Sequence, residues 1–326
     1  SDLVLSILGS DELVSCDSGV DDDPVSGPNN DPKDPFFAEG LQMPWYWVNG
    51  NHDILNQGNI RPEIKLEDYL SDYASVGTRD WSTPGGPVTL GEIPPDSARA
   101  ATYGPSLLSL VKADGDGHGI TADAIERGRA FYTADVTPSL RLIVMDTAAP
   151  SGSADGLFHR PEIDLFLKPE LDRALADGRY VIVTSHHSSG QLTDGGGAFG
   201  TAQEDAVLTE EFRDLLGTYP NLLMHLAGHT HHHRVVVIEP PTAPYDYWEV
   251  ETSALADFPQ QMRLIEVLDV GDSVALRLIG LDFQFEGDPI AQEGRALGVM
   301  DFTSGWQNDG RGAGEDRNLE LFIPKR

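Results

Sequence analysis

The stretch Trp45-Tyr46-Trp47-Val48-Asn49-Gly50-Asn51-His52-Asp53 decides how the rest of the chain is interpreted. Its aromatic and β-branched opening predicts a strand, and Gly50 predicts a turn with positive φ that ends it. Such a turn would direct Asn51, His52 and Asp53 towards one point beyond the carboxyl end of the strand, where open α/β sheets bind ligands. An amide oxygen can bind a metal ion, an imidazole can donate a proton, and a carboxylate can fix the imidazole tautomer. The stretch is therefore a candidate active site, although an ordinary strand-to-turn junction has the same pattern.

The composition indicates a folded, acidic protein. The chain has 326 residues, 40% of them hydrophobic, which is enough for one large domain. Its 53 acidic and 22 basic residues give a formal net charge of −31, so most of the surface would repel nucleic-acid phosphates. An anionic substrate would need a local positive centre, which a metal cluster could supply. The acidity and the low lysine content favour a location outside the cytoplasm.

Two further absences limit the function classes. Cys16 is the only cysteine, which excludes an intramolecular disulfide and a thiolate zinc knuckle. The sequence has no apolar run of about 18 residues, so no membrane span is predicted. The protein is therefore expected to have no membrane span and no sulfur-ligated metal.

We predict one domain over residues 1–326. Residues 1–43 are predicted to be an acidic loop and lead-in, because 16–34 is rich in Asp, Gly, Pro and Asn. Residues 61–130 break at Pro and Gly and are predicted to be an insertion near the site. An Asp-x-His triplet, Asp116-Gly117-His118, lies within it; the neighbouring glycines favour a turn over a primary ligand pair. Residues 234–326 are predicted to form antiparallel strands of a second sheet and a surface tail.

Two more predicted strands end in histidine. A hairpin over 130–135 and 140–147 ends near Asp146, which we expect to cap or orient a loop. A helix over 161–176 then precedes the strand 180–184, which stops at Ser185-His186-His187. A second helix over 204–216 precedes the strand 221–227, which leads to Gly228-His229-Thr230-His231. Three strand ends are thus predicted to present His or Asn.

These residues together predict a metal site. His229 and His231 are two apart, so on an extended segment both imidazoles would project to the same side and reach two neighbouring metals. With Asn51 and either His186 or His187, they form a site of nitrogen and oxygen ligands suited to Zn, Fe or Mn. A lone buried histidine is more often structural, and this is the interpretation for His225. His159, His232 and His233 are expected at the surface or behind the ligands.

In their order and at their strand ends, Gly50-Asn51-His52-Asp53, Ser185-His186-His187 and Gly228-His229-Thr230-His231 resemble motifs of the calcineurin-like metallophosphoesterases. The resemblance covers about residues 44–252, and the sequence around Pro44 is similar to a bacterial subgroup. It implies an α/β fold, a four-layer α/β/β/α sandwich of two mixed sheets. It also implies that Asn51, His186 and His229 bind one metal and His231 the other.

The resemblance further implies a reaction. Two divalent or trivalent ions (Fe, Mn or Zn) would share a bridging hydroxide that attacks a phosphate mono- or diester of a small molecule. His52, aimed by Asp53, would protonate the leaving group as general acid. The family's opening Asp-x-His and Gly-Asp-x-x-Asp motifs do not occur before Asn51, so we expect the chain to begin inside the domain, with the N-terminal strands missing. A degenerate, non-catalytic binding protein is the alternative.

Overall fold

Three apolar strands at the centre of the larger sheet direct the histidine-bearing loops to one edge. The computed structural model describes residues 40–55, 58–61, 104–113, 117–305 and 309–326. It also describes the backbone of two short antiparallel pairs, β1 (Leu13–Val14) with β2 (Phe36–Phe37), and β3 (Thr78–Arg79) with β4 (Val88–Thr89). The predicted acidic loop 16–34 lies outside the described residues.

The other elements follow in chain order. They are α1 (Asn51–Ile54), α2 (Pro105–Ala113), α3 (Ala122–Arg127), β5 (Tyr132–Thr137), β6 (Leu140–Val144), α4 (Arg160–Glu162), a π-helical turn (Ile163–Leu167), α5 (Lys168–Ala176), β7 (Tyr180–Thr184), a 3₁₀ turn (Ser189–Gln191), α6 (Thr209–Leu216), β8 (Leu222–Ala227), β9 (Arg234–Ile238), β10 (Tyr247–Glu251), β11 (Gln261–Asp269), β12 (Ser273–Asp282), α7 (Pro289–Thr303), a 3₁₀ turn (Gly314–Asp316) and β13 (Leu319–Pro324). Among these described elements, no helix is long and apolar enough to cross a membrane.

The fold is mixed α/β with two sheets. The larger has the order β5-β6-β7-β8-β10-β9, in which β6, β7, β8 and β10 run parallel and the outer strands β5 and β9 run antiparallel to their neighbours. The smaller sheet, β11-β12-β13, is antiparallel. Because the carboxyl ends of parallel strands meet at one edge, the loops after β7 and β8 lie side by side there.

Both faces of the larger sheet are covered, which explains why its central strands are almost continuously apolar. On one face, Val181 and Val183 of β7 belong to a core with Leu171 of α5 and Phe212 of α6. On the other face, side chains of the larger sheet pack against the smaller one: Ile182, Leu223, Met224 and Val250 with Val274, Leu276, Leu278, Leu321 and Ile323. The described layers are therefore helices, larger sheet and smaller sheet.

Several predicted elements are confirmed. The hairpin, the helical segment that begins with Pro161 in its first turn, and the strands β7 and β8 lie where the sequence placed them. The second predicted helix is shorter, because α6 begins at Thr209 rather than at 204.

The sheet assignment of residues 234–251 was wrong. Their alternation does form the strands β9 and β10, but β10 pairs in parallel with β8 and so belongs to the larger sheet. Only β11, β12 and β13 make the smaller sheet, and it is antiparallel rather than mixed. The helix α7 and the strand β13 were not predicted within the C-terminal segment.

The predicted strand at Trp45–Val48 was also wrong, because residues 44–50 have no regular secondary structure. The carbonyl groups of Trp45 and Trp47 contact side chains rather than a neighbouring strand. The Tyr132 hydroxyl donates to the Trp47 carbonyl at 2.7 Å, and the His118 Nδ1 lies 3.3 Å from the Trp45 carbonyl. The segment is nevertheless held firmly, since the Trp47 ring is buried in a core with α2 and α3.

The same core changes the interpretation of the insertion 61–130. Leu107 and Leu108 of α2 and Ala124 of α3 are fully buried against Trp47 and Tyr132. Residues 104–113 and 117–130 therefore pack into the domain. Most of the earlier part of the insertion lies outside the described residues.

Candidate metal centre

Gly50 brings the first motif against the second one. It is the N-cap of α1 with φ −110° and ψ 172°, so the predicted positive-φ turn was wrong. The glycine is required for a different reason. A Cβ atom there would lie 2.9 Å from both Cε1 and Nδ1 of His186. The absence of a side chain at Gly50 allows the imidazole of His186 to lie directly against the backbone before Asn51.

Asp146 fixes the loop that carries Asn51. Its Oδ2 accepts hydrogen bonds from the Asn49 side-chain amide and from the Ala130 N–H, both at 2.8 Å, and its Oδ1 accepts from the Ala148 N–H at 3.1 Å. All three bonds are buried. Asp146 thus orients a loop, as predicted, and it connects the first motif to the end of β6.

Asn51, His186 and His229 form what we call the ligand triangle. His186 Nε2 lies 3.0 Å from Asn51 Oδ1 and 3.1 Å from His229 Nδ1, and His229 Nδ1 lies 3.3 Å from Asn51 Oδ1. The amide of Asn51 is oriented by its Nδ2, which donates to the Gly58 carbonyl at 3.0 Å. Three atoms from distant parts of the chain therefore converge on one point.

Hydrogen bonds alone cannot satisfy this triangle. Asn51 Oδ1 only accepts, so both imidazole nitrogens must carry a proton to bond to it. In that case the two nitrogens are both donors, and their mutual contact is repulsive. If one nitrogen gives up its proton, its lone pair faces the lone pairs of the amide oxygen instead. A cation at the centre would satisfy all three atoms, because each directs a lone pair at it.

The spacing and ionisation of the triangle fit a metal ion. Zinc bonds to nitrogen or oxygen of about 2.0–2.2 Å, at angles between ligands of about 90–109°, place donor atoms about 3 Å apart. Burial and the neighbouring imidazoles of His229, His231 and His52 lower the pKa of His186 to about 3. Burial and His231 lower the pKa of His229 to about 4. Both rings are thus neutral near pH 7, as metal ligands must be.

His186 is a better ligand than its neighbour. Ligand nitrogens of His186, His187 and His229 all lie within 4.8 Å of one another. Both ring nitrogens of His187, however, have protein partners: Nδ1 lies 2.8 Å from Thr147 Oγ1 and Nε2 lies 2.8 Å from the Ala154 carbonyl. The carbonyl requires a proton on Nε2. We therefore assign His187 to holding the loop after β7 and His186 to the ligand triangle.

His231 does not join the triangle, but a carboxylate holds its ring. Its Nδ1 forms a short hydrogen bond with the carboxylate of Asp257. Metal-binding histidines often donate their other nitrogen to a carboxylate in this way. His229 and His231 both have positive φ, 67° and 59°, which is rare outside glycine and concentrates at functional sites. Asp257 was not predicted, since nothing in the sequence marks an acid in a loop 26 residues away.

His52 and Asp53 are placed differently from the expected acid pair. The His52 side chain is exposed, and the described residues give it no hydrogen-bond partner. The Asp53 carboxylate accepts a 2.7 Å hydrogen bond from the Gly50 N–H and so caps α1. Burial raises the pKa of Asp53 despite that bond. The carboxylate thus holds the backbone of the first motif and does not bind the imidazole of His52.

His225 is structural, as expected, and belongs to a buried chain of contacts behind the site. Its Nδ1 lies 2.8 Å from Glu249 Oε2, and its Nε2 lies 2.8 Å from Ser185 Oγ. The Ser189 N–H also donates to Glu249 Oε2 at 2.8 Å. Burial opposes ionisation of Glu249, but the hydrogen bonds from His225 and Ser189 and the electrostatic interaction with His225 prevail and lower its pKa to about 2.

The remaining histidines lie apart from the triangle. His118 is buried and stacks on Trp45 at 3.4 Å, which supports a structural role for the turn at 117–119; residues 114–116 lie outside the described residues. His159 pairs with Asp205 near the surface. His233 is buried rather than exposed, and Arg263 donates to its Nδ1 at 2.9 Å.

Comparison with known proteins adds no relative. No protein-family model matches the sequence, and no curated protein matches it. The geometry of the site and the order of its motifs are therefore the support for a function.

Proposed function

We propose that this protein is a metallophosphoesterase of the calcineurin-like kind, which hydrolyses a phosphate mono- or diester of a small molecule. The observation that carries the proposal is the ligand triangle. Asn51, His186 and His229 come from three separate motifs, and their donor atoms lie 3.0–3.3 Å apart. These are the three residues that the resemblance assigns to a single metal.

The fold is compatible with this proposal. The triangle lies at the carboxyl ends of parallel strands, where α/β sheets place their ligand sites. Helices, a six-stranded sheet and a three-stranded sheet follow one another as layers, in keeping with a four-layer α/β/β/α sandwich. The proposal therefore includes that sandwich as the fold.

Each residue has a distinct role in the proposed reaction. Asn51, His186 and His229 would hold one Zn, Mn or Fe ion, and His231, oriented by Asp257, would contribute to a second. Such ions would supply Lewis acidity and lower the pKa of water, and both effects accelerate hydrolysis of a phosphoester at neutral pH. His52 is exposed beside the triangle and would donate a proton to the departing alkoxide. Asp53 and Asp146 hold the loop that presents Asn51 and His52.

Metal binding and hydrolysis should be measured together. We expect the chain to bind Zn²⁺ or Mn²⁺ in calorimetric titrations and to hydrolyse phenyl phosphate or bis(phenyl) phosphate when loaded. His229→Ala removes one corner of the triangle and should weaken metal binding and abolish turnover. His159→Ala is the matched control, because this histidine pairs with Asp205 near the surface.

The result distinguishes the two functions considered. Hydrolysis that depends on His229 but not on His159 supports the enzyme. Metal binding without turnover on any phosphoester, with the fold intact by circular dichroism, would instead support a non-catalytic binding protein. Failure of the folded chain to bind either Zn²⁺ or Mn²⁺ would overturn both the metal site and the proposed activity.

A further inference from the structure

A cavity lies beside the loops that carry the ligand triangle. It has a volume of about 850 Å³, and its lining includes Gly190, Arg213 of α6, Thr230, Arg234, Glu251 and Asp316. Thr230 and His232 line it, and they alternate along the chain with His229 and His231. The cavity therefore shares a backbone segment with the proposed metal site. Its chemistry differs from that of the triangle, because its walls carry guanidinium groups.

Arg213 presents an unused edge to this cavity. Its Nε donates to Ser189 Oγ at 2.8 Å, and this is its hydrogen bond among the described residues. No described carboxylate pairs with it. Within the described residues the two terminal nitrogens have no hydrogen-bond partner, and together they form the planar edge that binds a carboxylate or phosphate through two parallel hydrogen bonds. In a chain with 53 acidic and 22 basic residues, an arginine without an acidic partner is noteworthy.

The position of Arg213 is fixed from behind. Ser189 is fully buried, and its N–H donates to Glu249, which in turn pairs with His225. The hydroxyl of Ser189 therefore stays in place to receive the Arg213 Nε. An anion would bind to a guanidinium that is already oriented, so less side-chain entropy is lost on binding.

The acids in the cavity wall do not compete for this edge. Glu251 accepts from Arg234 through Oε1 and from Thr230 through Oε2, both at 2.7 Å. Asp316 accepts from the Val235 N–H at 2.9 Å and from the Ala313 N–H at 3.2 Å. Their oxygens are engaged, whereas the terminal nitrogens of Arg213 have no partner among the described residues. The lining thus holds two arginines, Arg213 and Arg234, and two acids, Glu251 and Asp316, and the donors it leaves for an anion are the terminal nitrogens of Arg213.

We propose that this cavity binds an anionic group, a carboxylate or a phosphate, on the free edge of Arg213. The group belongs either to the substrate, as a second anionic group beyond the scissile phosphoester, or to a separate small anion. The substrate assignment rests on the proposed phosphoesterase function. The anion site itself does not, because it is made of residues outside the ligand triangle.

Binding of inorganic phosphate to the full chain tests the site directly. The titration should be repeated in the His186→Ala background, which removes one corner of the triangle, so that phosphate held by a metal is not counted. We expect binding to persist there and to weaken about tenfold or more in Arg213→Gln, as expected for loss of charge-assisted bonds. Arg173→Gln is the control, since Arg173 pairs with Glu170 on the exposed side of α5.

A second variant keeps Arg213 and its bond to Ser189. The position of a Cβ atom at Gly190 lies 3.5 Å from an Arg213 terminal nitrogen. Gly190→Asp would therefore place a carboxylate at the edge and compete with phosphate, whereas Gly190→Asn has nearly the same size without the charge. We expect Asp to abolish binding and Asn to retain it. Equal phosphate binding by Gly190→Asp and Gly190→Asn would overturn the proposal. So would an absence of phosphate binding by the folded chain, both with and without the His186→Ala substitution.

Kinetics then separate the two sources of the anion. If the group belongs to the substrate, Arg213→Gln should raise KM for carboxyphenyl phosphate and leave KM for phenyl phosphate unchanged. If it is a separate anion, succinate should change turnover of phenyl phosphate by the parent but not by Arg213→Gln. An absence of any hydrolysis would count against the proposed function alone, because the phosphate titrations do not depend on it.

Discussion

Replacing Gly50 by alanine tests whether the ligand triangle binds the metal. The backbone at Gly50 has φ −110°, which alanine adopts without strain, so the effect of the substitution is purely steric. The new methyl group would lie 2.9 Å from two atoms of the His186 ring. Ordinary contact between such atoms needs about 3.5 Å. The imidazole must therefore move by about half an ångström.

That displacement is large for a metal ligand. Metal–ligand distances tolerate about 0.2 Å of error. A shift of about 0.5 Å should therefore weaken binding by about 10–100-fold, similar to loss of a residue that hydrogen bonds to a metal ligand. The free energy of unfolding should fall by only about 1–3 kcal/mol, as for other overpacked sites. Gly50→Ala is thus expected to remain folded while its affinity for Zn²⁺ or Mn²⁺ drops.

Gly228→Ala is the matched control within the third motif. A Cβ atom there would lie 3.8 Å from the His186 carbonyl oxygen, which is an ordinary contact. We expect this variant to bind metal like the parent, although a motif-based interpretation would treat both glycines alike. Affinities come from competition with a chelator, and thermal denaturation verifies the fold. Gly50→Ala that binds metal as tightly as Gly228→Ala would refute the steric reasoning and the place of His186 in the triangle.

Four further outcomes are expected. His52→Ala should leave metal content unchanged and slow hydrolysis of alkyl phosphates by about 10²–10⁴-fold, with a much smaller loss for nitrophenyl phosphate, which leaves without a proton; equal losses would exclude the role of general acid. Asp146→Asn exchanges an acceptor of buried N–H groups for a donor, so it should lower the free energy of unfolding by about 1–3 kcal/mol in urea denaturation and also weaken metal binding; unchanged stability would contradict this. Asp257→Asn should reduce the affinity for a second metal by about 10–100-fold and leave the first unaffected in elemental analysis. The pKa of Glu249 is about 2 in the folded protein and 4.5 ordinarily, so its ionised carboxylate contributes about 3 kcal/mol to the free energy of unfolding. This contribution is present above pH 4.5 and is lost as the pH falls towards 2. Glu249→Gln should remove this part of the acid dependence of unfolding, measured by urea denaturation at a series of pH values.

The sequence predicted the strands that lead to the site better than the contacts that complete it. The strands β7 and β8 are continuous apolar runs bounded by loops, and such runs report burial on both faces of a sheet. The alternation in β10 correctly predicted a strand. It could not predict the sheet, because a period of two residues says which side chains are buried but not which neighbour covers them.

Other misses have local causes. The helix α7 contains Gly294 and Gly298, which lower its helix propensity, and it has no buried residue to produce an apolar stripe. Asp288 at the N-cap followed by Pro289 was the signal that could have identified it. Asp53 resembled a partner for His52 because the two are adjacent. Its actual partner, the Gly50 N–H, follows from the helical turn that begins at Asn51, which the strand prediction did not include.

The adjacent residues His186 and His187 show that a metal ligand needs a ring nitrogen that other protein groups leave available. His187 is more deeply buried than His186, and its ring centroid lies nearer to that of His229, at 4.3 Å against 5.0 Å. Both of its ring nitrogens are nevertheless hydrogen bonded to protein groups. Using it as a ligand would break at least one bond inside the protein, at a cost of about 1–3 kcal/mol. Metal binding by His186 and His229 breaks no such bond, because the nitrogens that face the centre of the triangle contact only each other and Asn51 Oδ1 among the described residues. The partners of His187 come from residues 147 and 154, far away in sequence, so this distinction arises only when the chain is folded. Metal affinity in this protein should therefore depend on the ring nitrogens that have no protein hydrogen-bond partner other than the triangle itself. We expect His187→Ala to lower the free energy of unfolding by more than it lowers the free energy of metal binding.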